Sequence, residues 1–266
     1  MLKFCKKNNL SIPIYFDIVT ITKNSQNVVK KTLDSVSNQT YQYINHIIID
    51  GNSTDDTINT IQNFHHQKNL ILYKEVPKGI SHAFNTGLNK HFGTLVIFLN
   101  SGDVLIGENV VEKIVESYLK NEWFWAFGET ISVSRKGYLK RYIKQYPQWQ
   151  QELFFYGNPI CHQSTIFSKN ILNQVGFYNE SLSLGMDYDY NIRASLISEP
   201  YLLRFPISYY DTTGVSSRKV FKSFQIQSKL RKKYFSMTKF HNFIIDNICF
   251  YKALKRFFML PIKLFL

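Results

Sequence analysis

Between residues 16 and 120 the chain alternates short apolar runs with stretches of helical spacing. Runs at 16–22, 46–50, 70–74 and 94–99 have strand length. Two of them, Ile47-Ile48-Ile49 and Leu95-Val96-Ile97-Phe98-Leu99, carry no polar residue. Unbroken apolarity of that length suits parallel strands covered on both faces. Helical spacing follows, with Val28, Val29, Leu33 and Val36 inside 28–37 and Val111, Ile114, Val115 and Leu119 inside 108–120. Residues 80–91 read as another helix after the Pro77-Lys78-Gly79 turn. Ser53 or Thr54 is placed to cap a further one, with Asp55 and Asp56 in its first turn. This βαβαβαβ order predicts a mostly parallel sheet flanked by helices on both sides, with right-handed crossovers that bring the strand ends to one edge.

The second half is less regular. Residues 123–133 and 137–144 read as strands, a possible hairpin. Residues 163–168 read as a strand after Asn158-Pro159, and 187–197 as a helix. With 266 residues and 44% hydrophobic content, the chain can build one large domain, or one domain and an appendage. A boundary is expected near Thr213-Gly214, giving an α/β domain over 1–213 and a helical tail over 214–266. The three cysteines, Cys5, Cys161 and Cys249, form no CxxC or Cys/His cluster. That argues against a disulfide framework or a zinc site and fits a reducing compartment. No apolar run of signal-peptide or membrane-spanning length occurs. A cytoplasmic location is expected.

Charge changes the picture of the tail. The formal charge is +13, and the stretch 217–266 holds twelve Lys or Arg against a single acid, Asp246. The preceding body is therefore nearly neutral. Basic residues there alternate with Phe221, Phe224, Phe240, Phe243, Tyr251, Phe257 and Phe258. A basic amphipathic segment rich in Phe and Leu suits the interface of an anionic membrane. A helical pair packed on the body with a solvated basic face is the competing reading. No nucleic-acid module accompanies the charge, so nucleic acid is not an expected partner.

The chemistry-bearing residues follow the apolar runs. Thr20-Ile21-Thr22-Lys23-Asn24 closes the first strand, where short polar groups can hold a base and ribose. Asp50-Gly51-Asn52-Ser53-Thr54-Asp55-Asp56-Thr57 closes the second. Gly51 permits a tight turn, and Asp50 can accept a hydrogen bond from a base N–H. Carboxylates in these positions sit where open α/β sheets bind ligands.

Together with Thr32-Leu33-Asp34-Ser35-Val36-Ser37-Asn38-Gln39-Thr40-Tyr41, the second segment closely resembles the opening of family-2 glycosyltransferases of the GT-A fold, a Rossmann-like α/β architecture. Lys78-Gly79-Ile80 with Ala83-Phe84-Asn85-Thr86-Gly87 resembles a further segment of that family, departing from it at Pro77, Ser81, His82 and Thr86. Phe98-Leu99-Asn100-Ser101-Gly102-Asp103 resembles the family's metal motif, with Gly102 in place of its first acid. His162-Gln163, Gly176-Phe177-Tyr178-Asn179-Glu180, then Asp187-Tyr188-Asp189 and Arg193, resemble the acceptor half of the bacterial polysaccharide branch. The resemblance runs from about Phe16 to Arg204.

It implies a nucleotide-sugar site drawing on Thr20, Asn24, Asp50, Ser53, Lys78, Gly79, Asn85, Ser101 and His162. It implies Asp103 as ligand to Mn²⁺ or Mg²⁺, and Asp187 as the base that takes the acceptor proton. His162 is as readily structural as a contact to the diphosphate or metal. Gln163 is unassigned. Asp189 and Arg193 are spaced i,i+4 and suit an ion pair as well as a site role. The expected activity is inverting, metal-dependent sugar transfer, with a UDP-sugar favoured as donor. The acceptor would be a saccharide or a polyprenyl-diphosphate-linked saccharide, in synthesis of a bacterial surface polysaccharide such as O-antigen or capsule. The tail would hold the enzyme peripherally on the inner face of the cell membrane. A nucleotidyltransferase and a non-catalytic, membrane-bound carbohydrate-binding protein are the alternatives. The first normally carries a Gly-rich loop after strand one, absent from Lys23-Asn24-Ser25-Gln26-Asn27.

Overall fold

The computed structural model describes residues 13–64, 69–76, 78–133, 140–143, 148–211 and 219–265. Cys5, Pro77, the Thr213-Gly214 boundary and part of the predicted strand at 137–144 lie outside them.

Nine strands form one sheet: β1 (Phe16–Thr22), β2 (Ile44–Asp50), β3 (Leu70–Lys74), β4 (Leu95–Phe98), β5 (Val104–Leu105), β6 (Trp125–Val133), β7 (Lys140–Ile143), β8 (Thr165–Ser168) and β9 (Tyr201–Asp211). Their order is β3-β2-β1-β4-β8-β6-β9-β5, with β7 paired to β6. The first four in that order are mutually parallel. β8 runs antiparallel to both of its neighbours, and β6 pairs in parallel with β9. Most strands therefore share one direction.

The helices are α1 (Val29–Ser37), α2 (Thr57–Gln62), α3 (Ile80–Lys90), α4 (Val110–Asn121), α5 (Lys169–Val175), α6 (Met186–Ile197), α7 (Val220–Tyr234) and α8 (Lys239–Phe265). Alternation along β1 and β2 divides the core. Val19, Ile47 and Ile49 face α3 and α6, packing with Phe84, Leu88, Tyr188 and Ile192. On the other face, Phe16 and Ile18 join Val111, Ile114 and Val115 of α4, while Ile48 meets Val29 and Leu33 of α1. These apolar side chains exclude water from both faces, the condition their unbroken apolar runs require.

Two predicted details change. Helix α2 starts at Thr57, and neither Ser53 nor Thr54 caps it; Asp56 holds the cap position without a side-chain bond. The Ser53 hydroxyl instead donates to Asp50 Oδ1 at 2.6 Å, a local competition for the capping group. Strand β9 has no counterpart in the sequence reading, because Pro206 interrupts its pattern and proline cannot donate to a ladder. The sheet absorbs Pro206 at an irregularity where it stands opposite Glu129 and the register shifts on either side.

At the lower end of the sheet, the buried Asp17 accepts from Phe92 N at 2.7 Å, Gly93 N at 2.6 Å and Asn45 Nδ2 at 2.7 Å. A Cβ at Gly93 would lie 2.5 Å from Asp17 Oδ1. This carboxylate latches the α3–β4 turn, far along β1 from the strand ends that carry the site.

The tail helices dock on the body. Arg231 is only 1% exposed. Its guanidinium donates to Phe155 O at 3.0 Å and to Asp246 Oδ1. Asp246 also accepts from Ser228 Oγ at 2.7 Å and Lys232 Nζ at 2.6 Å. The one acid of the tail thus gathers two of its cations, and Leu230 joins the core beside α6. The opposite face of α8 is bare: Phe240, Phe243, Tyr251 and Phe258 are 67–69% exposed. Among the described residues, no helix is long and apolar enough to cross a membrane.

Candidate active site

Register places Thr22 beside Asp50 and Asp50 beside Lys74 at the carboxyl ends of β1, β2 and β3. Asp50 has no exposed surface, and it accepts from Ser53 N at 2.8 Å as well as from the Ser53 hydroxyl. Asn24, at φ 47, donates its N–H to Ser53 Oγ at 2.8 Å and accepts from Thr54 N at 2.9 Å. Asp50, Ser53 and Asn24 are therefore one hydrogen-bonded unit that joins the loops after β1 and β2. Thr20 lies lower on β1, fully buried, with its hydroxyl 2.8 Å from His46 Nε2. The hydroxyl nearer the strand end is Thr22, whose Oγ1 is buried without a hydrogen-bond partner.

Across β1, the loop after β4 meets the same edge. Ser101 N donates to Ile21 O at 3.1 Å. Thr32 of α1 pins the loop from behind, donating to Asp103 O at 2.8 Å and accepting from Gly102 N at 2.9 Å. Gly102 sits at φ +96, a conformation that strains residues with a Cβ. The backbone here thus gives a reason for glycine where the resembling motif has an acid. Asp103 is buried. Beside it, Asn100 Oδ1 and Ser101 Oγ are buried without partners. Unused oxygens next to a carboxylate fit a hard divalent cation, with diphosphate and water supplying the remaining ligands. Among the described residues, no group of three or more His, Cys, Asp or Glu could hold a metal by itself.

Helix α6 brings Asp187 to this edge from the other half of the chain. Asn158 Nδ2 donates to Asp187 Oδ2 at 2.9 Å. Burial pushes the Cys161 thiol up to about 11, and the charges of Asp187 and Asp103 add to that. His162 bridges the two halves, its Nε2 2.9 Å from Asn100 Nδ2 and its ring edge-on to Phe84. Burial lowers the His162 pKa against the opposing pull of Asp187, which favours the neutral imidazole. Gln163 is buried in the short 3-10 turn His162–Ser164 that leads into β8.

The remaining named residues stand further back. Asn85 is buried. Its amide is consumed by Tyr178 N at 2.7 Å, Tyr178 O at 3.0 Å and Glu180 at 2.8 Å. It fastens α3 to the 176–180 loop. Lys78 is exposed just before Gly79, which takes φ +104 at the start of α3. Glu180 accepts from Asn85 at 2.8 Å and lies 3.2 Å from His82 Nδ1; these hydrogen bonds, with the charges of His82 and Lys78, lower its pKa. Asp189 and Arg193 form the i,i+4 pair at 3.0 Å. Arg193 also donates to Val175 O at 2.7 Å and Phe177 O at 2.9 Å, so it clamps α5 and its following loop to α6.

Sequence reasoning passed over Thr22, Asn100, Asn158 and Cys161 as site residues. Asn100 was visible inside a motif; Asn158 was visible only as a loop residue before Pro159.

An α/β sheet whose strand ends gather acids and unused hydroxyls, with a helix that adds Asp187, has the layout of a nucleotide-dependent transferase site. The family model for glycosyl transferase family 2 matches residues 17–175, and the chain belongs to that family. Among relatives, an uncharacterized glycosyltransferase of Mycobacterium tuberculosis is 27% identical over 226 residues, covering 82% of this chain and 84% of its own. A PGL/p-HBAD biosynthesis glycosyltransferase of Mycobacterium bovis is 25% identical over 216 residues, covering 79% and 82%.

Among solved structures, Staphylococcus aureus TarS aligns with a TM-score of 0.67 at 17% identity, covering 92% of this chain. The chain spans 44% of that TarS chain. A TarS fragment in complex with UDP-GlcNAc gives 0.66 at 17% identity, covering 92% of this chain and 73% of the fragment. The mannosyltransferase PcManGT from Pyrobaculum calidifontis, in complex with GDP-Man and Mn²⁺, gives 0.64 at 14% identity with the same coverages. The fold is GT-A, and the protein is an enzyme, a glycosyltransferase that uses a nucleotide sugar. That sets aside the nucleotidyltransferase and the non-catalytic binding protein.

Proposed function

We propose that the protein transfers a sugar from a UDP-sugar, with inversion, to a saccharide acceptor carried on a lipid, in assembly of a bacterial surface polysaccharide. The observation that carries this reading is the meeting of two distant parts of the chain at the sheet edge: Asn100, three residues before Asp103, lies 2.9 Å from His162, and Asn158, four residues before His162, donates to Asp187 at 2.9 Å. UDP as the nucleotide is supported by the UDP-GlcNAc complex of TarS, and the surface-glycan role by the name of the mycobacterial relative.

Asp50 and the groups it organises hold the nucleoside. Asp187, steadied by Asn158, accepts the proton of the acceptor hydroxyl. The hydroxyl oxygen bonds to the anomeric carbon as the bond from that carbon to the diphosphate oxygen breaks, and the nucleoside diphosphate departs. Attack from the side opposite the diphosphate inverts the carbon. Asp103, with Asn100 and Ser101 beside it, would hold Mn²⁺ or Mg²⁺, which when bound neutralises the leaving diphosphate. The bare aromatic face of α8 and the basic tail suit the interface of an anionic membrane, as peripheral attachment on its inner face requires.

The test is donor binding and hydrolysis across UDP-, GDP- and dTDP-sugars with Mn²⁺, in wild type, Asp103→Ala and Asp187→Ala. The expected result is one UDP-sugar bound and turned over, binding weakened by Asp103→Ala and preserved by Asp187→Ala. Equal behaviour of all three proteins overturns the mechanism.

A further inference from the structure

A half-open cavity of about 200 Å³ lies where the tail meets the body, lined by Leu153, Tyr156, Gly157, Asn158, Pro159 and Lys252. Four observations tie it to the reaction. Asn158 lines it and donates to Asp187 at 2.9 Å, so one side of the cavity adjoins the base. Lys252 comes from α8 and reaches over the Tyr156 ring, with Nζ 5.0 Å from its centroid. Among the described residues Lys252 joins no ion pair, whereas Lys232 and Arg231 on α7 both pair with Asp246. The other face of α8 is the bare one that carries Phe240, Tyr251 and Phe258.

We propose that this cavity is the acceptor's anchoring subsite, and that Lys252 binds a phosphate or diphosphate group of a lipid-linked acceptor. Its volume is below the roughly 300–1,000 Å³ of pockets that enclose a drug-sized ligand; it suits a head group. The chemistry of its wall is split to match. An unneutralised ammonium meets the anion, the Tyr156 ring and Pro159 give apolar contact to the adjoining chain or sugar, and Asn158 stands between this group and Asp187. A lipid tail then leaves along the apolar face of the same helix that supplies the lysine. The subsite would select acceptors with an anionic linkage close to the hydroxyl that reacts.

The proposal rests on Asp187 as the base, and the two ideas fail separately. Titration calorimetry would measure farnesyl diphosphate, used below its micellar concentration, against wild type, Lys252→Gln and Lys229→Gln, with farnesol as the uncharged probe. Lys229 is an exposed tail lysine that does not line the cavity. Lys252→Gln should weaken farnesyl diphosphate about tenfold, the scale of a lost charge-assisted contact; Lys229→Gln should change it less than about twofold, and farnesol should bind no better to wild type than to Lys252→Gln. Equal loss in both lysine variants, no loss in either, or full displacement of farnesyl diphosphate by UDP overturns the subsite. Because this is read by binding alone, loss of sugar transfer in any assay bears on the proposed function and not on this site.

Discussion

The phenol of Tyr234 donates a 2.7 Å hydrogen bond to Asp189 Oδ1, while Arg193 holds the other carboxylate oxygen of the same buried residue. The last turn of α7 is thereby joined to the first turn of α6, two residues from Asp187. The tail is a structural partner of the helix that carries Asp187. Replacing Tyr234 with Phe leaves one acceptor of a buried carboxylate unsatisfied. Stability should fall by about 1–2 kcal/mol, read by urea unfolding, and the maximal transfer rate should fall with little change in donor KM.

Asp187→Asn keeps the shape and the Asn158 contact available but removes the proposed proton acceptor. The expected loss in transfer rate is about 10²–10⁴-fold, with donor affinity unchanged in a calorimetric titration. Asn158→Ala should cost about tenfold, through loss of one hydrogen bond to a charged group, again on the rate rather than on donor KM.

Acid should loosen the tail. Burial works against ionised Asp246, but hydrogen bonds from Lys232 and Ser228 and the Arg231 charge outweigh it and hold its pKa below the ordinary carboxylate value. A group depressed in this way stabilises the fold above its unfolded pKa, near 3.8, and the contribution disappears as pH falls through the lower folded value. Protonation also strands Arg231, which is buried. Hydrogen exchange should therefore show α7 and α8 losing protection below about pH 4, ahead of the sheet. Asp246→Ala should reproduce the effect at neutral pH, with a stability loss of about 3 kcal/mol. Unchanged exchange in the tail of Asp246→Ala would contradict the role given to this acid.

Gly93→Ala should be strongly destabilising although no ligand is near. The added Cβ would sit 2.5 Å from Asp17 Oδ1 and 2.8 Å from Tyr15 O, and the Asp17 latch cannot withdraw without breaking its bonds to Phe92 and Gly93. A loss of about 1–3 kcal/mol is expected, visible as a lower Tm, with relative donor preference unaltered.

Much of the parallel half was legible because its physics is local. Strands β1 and β3 begin and end where the apolar runs do, and α1, α3 and α4 follow the spacing of Val29, Phe84 and Val111. Asp50 could be picked out because it follows such a run directly, and Asp103 because it closes the motif Phe98-Leu99-Asn100-Ser101-Gly102-Asp103 after another. The i,i+4 spacing of Asp189 and Arg193 was enough to anticipate their pair. By contrast, Ser53 looked like a helix cap until Asp50 competed for its hydroxyl, and Pro206 hid β9 until an irregular pairing with Glu129 accommodated it.

The sequence by itself determined the family, the strand-and-helix order of the first half and the acids at the strand ends. Each of these is written in neighbouring residues, through side-chain period, turn chemistry and motif. Only the tertiary structure decided which groups meet. It placed Asp187 beside Asn158 and His162 beside Asn100, joined Glu180 to Asn85 and His82, buried Arg231 against Asp246, and set Lys252 at a cavity lined by Asn158. Such contacts join residues far apart in the chain. They depend on packing and on where desolvated charge finds a partner, and neither quantity is encoded in local spacing.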